Sequence, residues 1–482
     1  MLLIVTILFP VIAGLVSSTS RINDRNRNIW YAAVLAGTDL LILLSCVKGG
    51  QITLFRLFEN VTFAFRVDEL TRYFLIAVVL LYTAATIYAF EYMTIEHRQP
   101  VFFGAVFTSM GAIIAVAMSA NLVTMYCCFE ALSLTSFVLI IHEMDKAAVA
   151  AGLKYLFYSI AGALMGMFAM FVLYAFVSAE PAFTMGGFLD MNLAAGHEGR
   201  LLAAAMAGII GFGAKAGMFP MNGWLPTAHP ICPAPASSLM SGIIAKAGIF
   251  CVIRLVYYSI GARFLQGTWV QTAWICLAMT TIFLGSMMAF QEKVTKKRLA
   301  YSSVSQISYI MLGLSMLSDD GLRGGLIHLL SHCASKGCLF LCAGVFIYKL
   351  GKKRVDQLRG IGRQMPVTMW CFMIAAMSLV GIPPMGGFVS KWFIGTASLT
   401  SAPGILSWLA PAVLMVSALL TAGYLFPVVV DAFFPGKDFD YAGMGKAEPS
   451  ALMTVPMIIL CCAALIAGLF GTSIISFTGW GL

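Results

Sequence analysis

Apolar stretches of about 20 residues, the length a helix needs to cross bilayer hydrocarbon, recur along almost the whole chain. Between them no hydrophilic segment exceeds about 25 residues, too little for a soluble domain. A chain patterned this way satisfies its backbone polar groups as a bundle of membrane-crossing helices. Composition agrees: of 482 residues, 60% are hydrophobic and 11% charged, against about 45–50% and about 25% in soluble domains. We read an all-α polytopic membrane protein forming one membrane domain over 1–482. Its transmembrane helices number about fourteen, beginning near residues 2, 29, 70, 101, 121, 147, 201, 236, 269, 298, 322, 366, 404 and 451,. Met1 to Gly14 lacks a basic leader and reads as a retained first span, not a cleaved signal,.

The formal charge of +9 is spread over short loops and is not gathered into a basic patch interleaved with aromatics, which excludes nucleic acid as a partner class,. Of the 30 lysines and arginines, seventeen fall in odd-numbered loops, eight in even-numbered loops and five inside apolar runs. Basic loops stay cytoplasmic, so both termini are expected to face outward. The 12 cysteines include the adjacent pairs Cys127/Cys128 and Cys461/Cys462 and no Cys-x-x-Cys. They read as small apolar packing residues, and no redox centre is expected in this chain.

The five intramembrane lysines are Lys154, Lys215, Lys246, Lys336 and Lys391. An ammonium in hydrocarbon costs roughly 3 kcal/mol on insertion scales, so five of them imply a use. Two stretches break helical rules at membrane depth. The first is Gly211-Phe-Gly-Ala-Lys-Ala-Gly-Met-Phe-Pro220, with Gly213, Gly217 and Pro220 as its breakers. The second is Gly381-Ile-Pro-Pro-Met-Gly-Gly-Phe-Val-Ser-Lys391, broken at Pro383 and Pro384,. Each carries a lysine. Interrupted segments at matching places in two halves point to an inverted-repeat transporter, here with repeat cores at 119–260 and 269–430,.

Glu130 stands about nine residues into its span, ~13 Å deep and beyond reach of the interface. Its expected partner is Lys215, with Lys246 as the next station. At ~6 Å and an effective dielectric of ~20, each charge changes the other's energy by ~2.8 kcal/mol. His328, His332 and Lys336 are spaced four apart and share one helix face, offering groups that exchange protons near neutral pH,. His-x-x-x-His can also bind zinc, but with no acidic third ligand nearby and a lysine next in line, no metal is expected. Lys391 would end the relay near one aqueous face. Lys154 could simply snorkel to the interface. Asp39 and Asp431 are further candidates, each also explicable as polar packing.

The runs Phe219-Pro-Met-Asn-Gly-Trp-Leu-Pro-Thr-Ala-His-Pro and Pro235-Ala-Ser-Ser-Leu-Met-Ser-Gly-Ile-Ile-Ala-Lys-Ala-Gly resemble the proton-translocating, antiporter-like family. That family comprises membrane subunits of respiratory complex I, Mrp antiporters and energy-converting hydrogenases, including formate hydrogenlyase. Arg298-Leu-Ala-Tyr-Ser-Ser-Val-Ser, His328-x-x-x-His-x-x-x-Lys336 and Gly381-Ile-Pro-Pro-x-x-Gly-Phe-x-x-Lys391 extend the resemblance over most of the chain. It implies fourteen helices, two inverted five-helix repeats and discontinuous seventh and twelfth helices. It also assigns Glu130 and Lys215 to a coupling pair, Lys246 to a central axis, His328, His332 and Lys336 to the eleventh helix, and Lys391 to the terminal position. Gln306 stands where many relatives have His, so it is at most an accessory group, as are Ser302 and Ser303. Lys391 stands where some relatives have Glu.

These readings converge on one ion-translocating subunit, most simply of protons, in a redox-driven complex in a prokaryotic inner membrane. Its expected partners are other antiporter-like and small membrane subunits, with iron–sulfur clusters and a nickel–iron centre or flavin in peripheral redox subunits. The alternatives are an Mrp-type cation/proton antiporter subunit with no redox partner, and a scaffold whose lysines are static.

Overall fold

The computed structural model describes residues 1–19, 24–58, 61–178, 180–441 and 444–479. Fifteen long helices follow one another: α1 Leu2–Thr19, α2 Asp24–Lys48, α3 Glu69–Tyr92, α4 Gln99–Met118, α5 Leu122–Ile140 and α6 Lys146–Tyr174. Then come α7 Glu198–Ala216, α8 Ala234–Ile260, α9 Trp269–Gln291, α10 Thr295–Ser315 and α11 Asp319–Leu350. The series closes with α12 Pro366–Val380, α13 Gly386–Ser401, α14 Leu406–Phe433 and α15 Ala451–Leu469. Among the described residues, twelve of these are long and apolar enough to cross a membrane. Those outside the twelve have physical reasons. Lys296, Lys297 and Arg298 open α10, while α12 and α13, at 15 and 16 residues, are each too short to cross alone,.

Helices that are apolar all round belong in the interior, and here α4, α8 and α11 are buried on almost every side. The outer helices α1, α2, α6, α14 and α15 leave most of their surface open, as lipid-facing helices do. Small residues set the closest approaches. A Cβ on Gly248 of α8 would lie 2.4 Å from the Phe212 carbonyl oxygen, so only glycine lets α8 lie this close to α7.

Both expected helix breaks are present and are built alike. α7 stops at Gly217 (φ +76°) and α12 at Gly381 (φ +94°), each in the left-handed conformation that glycine adopts freely,. A cis peptide follows each, Phe219–Pro220 and Pro383–Pro384. Gly213 is a correction: it lies inside the last turn of α7, packed against the methyl ends of Met218 and Met311, and the chain turns only at Gly217.

The all-α reading omitted a hairpin. β1 (Gly50–Phe58) and β2 (Val61–Val67) pair antiparallel from Gly50↔Val67 to Phe58↔Val61, with two register shifts. Val61, Phe63, Phe65 and Val67 recur at the period of two that a strand needs, in a run far too short to span. The hairpin rests on the start of α5: Asn121 Nδ2 donates to the Thr62 carbonyl (2.7 Å), and Thr124 Oγ1 accepts from the Ala64 amide (3.1 Å).

Candidate functional site

Three helices place Lys215. The last turn of α7 turns its side chain inward, and α5 and α6 supply oxygens. Its Nζ donates to Ser133 Oγ (2.6 Å) and Tyr155 OH (3.0 Å), and lies 4.7 Å from the centre of the Phe129 ring. Glu130, expected as its ion partner, is not bonded to it. Glu130 is half-buried on α5, with Oε1 shielded and unpartnered, though its charge and that of Lys215 still act on each other. Lys215 thus rests in a cradle of neutral hydroxyls and π faces, beside a carboxylate that it does not touch.

Lys246, fully buried on α8, is held by that helix itself. A π-helical segment, Met240–Ile244, precedes it, and its Nζ donates to the Ser241 carbonyl at 2.5 Å. Widening the helix to i→i+5 spacing is what exposes a carbonyl to such a side chain. Ser241 Oγ bonds Ser303 Oγ across to α10 (2.6 Å), giving Ser303 a place beside this station.

The α11 residues fall on one face as the four-residue spacing requires. The His328 and His332 rings stack with centroids 5.9 Å apart. His328 Nδ1 pairs with Ser390 Oγ of α13 (2.8 Å), its Nε2 has no partner, and neither nitrogen of His332 has one. Lys336 Nζ donates to the Leu299 carbonyl (3.0 Å). His332 and Lys336 both lie close enough to Lys246 to feel its charge. Lys391 Nζ donates to the carbonyls of Leu379 (2.6 Å) and Val380 (2.7 Å), the open C-terminus of α12, where the helix dipole favours a cation,. It also lies 5.2 Å from the centre of the Tyr309 ring. Among the described residues, none of Lys215, Lys246, Lys336 and Lys391 forms an ion pair, and each is bonded only to neutral oxygens.

The accessory residues divide. Lys154 is exposed, reaching Thr227 Oγ1 at 3.0 Å, and stands outside the buried row. Asp39 accepts from Thr83 (2.7 Å) in a separate apolar cavity of about 830 Å³ that it shares with Arg72. Asp431 is exposed, and its backbone carbonyl accepts from the Gly360 amide (2.9 Å). Ser302 bonds Tyr424 OH (2.6 Å), and Gln306 Nε2 reaches Thr421 Oγ1 at 3.5 Å.

Sequence reasoning missed His229. It is buried, with its ring stacked 4.7 Å from Phe340 and both nitrogens unpartnered, and it feels the charges of Lys246, Lys296 and Lys336. Its signal was present as the lone histidine of the proline-rich loop before α8. Also missed was a polar cavity of about 430 Å³ beside the α10 start, lined by Glu96, Glu143, Asp145, Lys296 and Lys353 among others. There the Glu96 carboxyl is pushed up to about 7, first by burial and then by the hydrogen bond and charge of Glu143. No group of three His, Cys, Asp or Glu among the described residues is placed to hold a metal.

A bundle with two matching helix breaks, each holding a lysine against neutral oxygens, defines an antiporter-like membrane subunit. The chain belongs to the family described as NADH:quinone oxidoreductase/Mrp antiporter, transmembrane, which matches residues 119–421. It is 31% identical over 427 residues to NADH-quinone oxidoreductase subunit N of Desulforudis audaxviator, covering 85% of this chain and 82% of that one. Hydrogenase-4 component B of Escherichia coli is 30% identical over 435 residues, which span 85% of this chain and 63% of that longer protein. In fold, 99% of this chain superposes on 96% of a chain of membrane-bound sulfane sulfur reductase, an archaeal respiratory membrane complex, with a TM-score of 0.85 at 18% identity. The chain is therefore an antiporter-like subunit of the complex I and hydrogenase type.

Proposed function

We propose that this chain translocates protons through a lateral row of ionisable groups, Glu130, Lys215, Lys246, His328/His332/Lys336 and Lys391, in two inverted five-helix repeats. One observation carries the reading: Lys215, Lys246 and Lys336, all buried, and the half-buried Lys391 are bonded to neutral oxygens and, among the described residues, to no carboxylate. A static buried ammonium is ordinarily paired, because leaving it unpaired in a low dielectric costs several kcal/mol. Groups that must change charge state in turn need the reverse, a setting in which neither state is locked.

In the resting arrangement Lys215 lies in its hydroxyl cradle, away from Glu130. A driving event in a partner draws the ammonium onto the Glu130 carboxylate. Lys246 then gains a proton, His332 and Lys336 respond to its charge, and Lys391 releases a proton from the end of α12. The partners that drive this are redox subunits carrying iron–sulfur clusters with a nickel–iron centre or flavin, alongside further antiporter-like and small membrane subunits. The resemblance at 30% identity and above to subunits named for quinone oxidoreductase and hydrogenase complexes supports a redox drive over a purely gradient-driven exchange. The distribution of basic loops supports a reading with both termini on the outer side of a prokaryotic inner membrane.

The test is Lys215→Ala in the intact complex. Translocation should be lost while the complex assembles and the driving reaction persists. Unchanged pumping in that variant would sink the scheme.

A further inference from the structure

We propose that the cavity between α2 and α3 binds an anionic phospholipid of the leaflet on the hairpin side, with its phosphate on Arg72 and its acyl chains in the groove. At the end where α2 closes at Lys48 and α3 opens at Glu69, the two helices leave an apolar space of about 830 Å³ between them. Leu40, Leu43 and Val47 of α2 and Ile76 of α3 line it and are exposed, a continuous apolar surface that this chain leaves uncovered. Phe477, at the end of the short helix Gly471–Phe477, adds to the lining. The length of the groove says what fills it. From Val47 to Asp39, α2 rises ~12 Å, close to the ~15 Å of hydrocarbon in one leaflet. The groove ends where Asp39 accepts from Thr83 across the two helices (2.7 Å), and the other oxygen of Asp39 is shielded. Beyond that point protein takes the space: Phe103 of α4 stacks on Tyr31 of α2 (4.2 Å between ring centres) and lies 5.8 Å from Phe90 of α3. A partner's membrane-crossing helix needs an open face along the whole ~30 Å of hydrocarbon. The tails of a phospholipid reach only the midplane, as this groove does.

Charge at the mouth selects the headgroup. Arg72 is half-buried one turn into α3, where its Nε donates to the Cys46 carbonyl (3.2 Å) and its Nη1 to the Thr478 carbonyl (3.4 Å). Both acceptors are neutral. Among the described residues Arg72 forms no ion pair, not even with Glu69 one turn earlier on the same helix, and its Nη2 has no partner. A guanidinium offers its donors as a planar fork that fits a phosphate, so the free edge of Arg72 suits the phosphodiester at the top of a lipid. Lys48, exposed in the last turn of α2, puts a second cation at the same rim. Cations at the interface attract anionic headgroups, while a zwitterionic lipid brings its own ammonium to the rim and gains less. The same guanidinium ties α2 through Cys46 to the segment after the short helix through Thr478. A phosphate that neutralises it steadies that junction, and the acyl chains below cover apolar surface that would otherwise stand open.

The experiment is native mass spectrometry of the intact complex, stripped of lipid in detergent and titrated with phosphatidylglycerol or phosphatidylcholine of identical chains. The readout is the lipid that this subunit carries when it is released. The wild-type subunit should carry one phosphatidylglycerol, held about tenfold more tightly than phosphatidylcholine. Arg72→Gln should erase that preference, and Arg72→Lys, which keeps the charge and loses the fork, should retain part of it. Leu43→Trp, which fills the groove and leaves Arg72 in place, should lose the adduct of either lipid. Equal binding of the two lipids to wild type overturns the assignment, as does a preference that survives Arg72→Gln. An adduct that persists in Leu43→Trp also overturns it, because the lipid then lies outside the groove. No adduct on the wild-type subunit means that a neighbouring subunit covers this face instead, and the proposal falls. Should Arg72→Gln fail to assemble, Arg72→Lys and Leu43→Trp decide between these outcomes.

Discussion

Tyr155→Phe is the sharpest probe of the Lys215 cradle. The substitution keeps the aromatic ring, its 4.8 Å contact with Trp224 and the cation–π face. It removes only the hydroxyl that accepts from Lys215 at 3.0 Å and bonds Ser136 Oγ at 2.6 Å. A hydrogen bond to a charged group contributes about 1.5–3 kcal/mol, a shift of roughly 10- to 150-fold in an equilibrium. Were the ammonium to move to ~6 Å from the Glu130 carboxylate, at an effective dielectric of ~20 the attraction would be ~2.8 kcal/mol, the same size. The cradle and the carboxylate therefore compete on near-equal terms, and losing one hydroxyl tips the ammonium toward Glu130. The expected phenotype is a complex that assembles and runs its driving reaction but translocates severalfold fewer protons per turnover, read from dye acidification in inverted vesicles. Ser133→Ala, removing the shorter 2.6 Å bond, should be at least as severe. Full translocation in both variants would refute the competition, because it would mean that Lys215 is held by something other than these two oxygens.

Other consequences can be checked with the purified protein. Glu96 has its carboxyl pushed up to about 7 by burial and Glu143, so its neutral form is the favoured one in the fold. Its contribution to stability is full below the ordinary carboxylate range and is lost as pH rises through about 7,. Thermal melts should fall across that window, and Glu96→Gln should flatten the fall. Asp68 holds the buried Arg254 guanidinium through bonds of 2.6 and 2.7 Å. Asp68→Asn strands that charge and should cost about 3–5 kcal/mol, visible as a lowered melting temperature in detergent. Gly248→Val would drive a side chain into the Phe212 carbonyl and part α7 from α8. Loss of translocation should accompany a destabilisation of about 1–3 kcal/mol or more, whereas a stable, fully active variant would show that the close approach is not needed.

Much of this was legible in the sequence because lipid imposes simple rules. Apolar runs located every long helix but α13, which has no start of its own in the apolar pattern, and glycine–proline punctuation found both breaks, since a backbone without its hydrogen bonds is tolerated at membrane depth only under special conditions. Four-residue spacing put His328, His332 and Lys336 on one face, and it holds. What escaped depends on partners brought from elsewhere in the chain. Opposite charges suggested a Glu130–Lys215 bond, but Ser133 and Tyr155 reach the ammonium first. Serine carries no periodic signal of its own, so Ser133 looks like any small residue in a span until Lys215 is seen against it. The β1–β2 hairpin was lost to a search tuned to spans, its alternation confined to a few residues on each strand.

Lys391 sits on the carbonyl end of α12 and not against a carboxylate, and this bears on how the protein responds to voltage. Charge moving along a row parallel to the bilayer crosses no potential difference, whereas motion along the normal couples by about 2.3 kcal/mol per unit charge per 100 mV. A counter-carboxylate that changed protonation with the lysine would blur that distinction by moving compensating charge. The backbone dipole of α12 cannot titrate. On the proposed lateral relay, the electrical work of transport falls on the vertical legs, so the membrane potential should slow proton uptake and release while leaving exchange between the lysines indifferent to it.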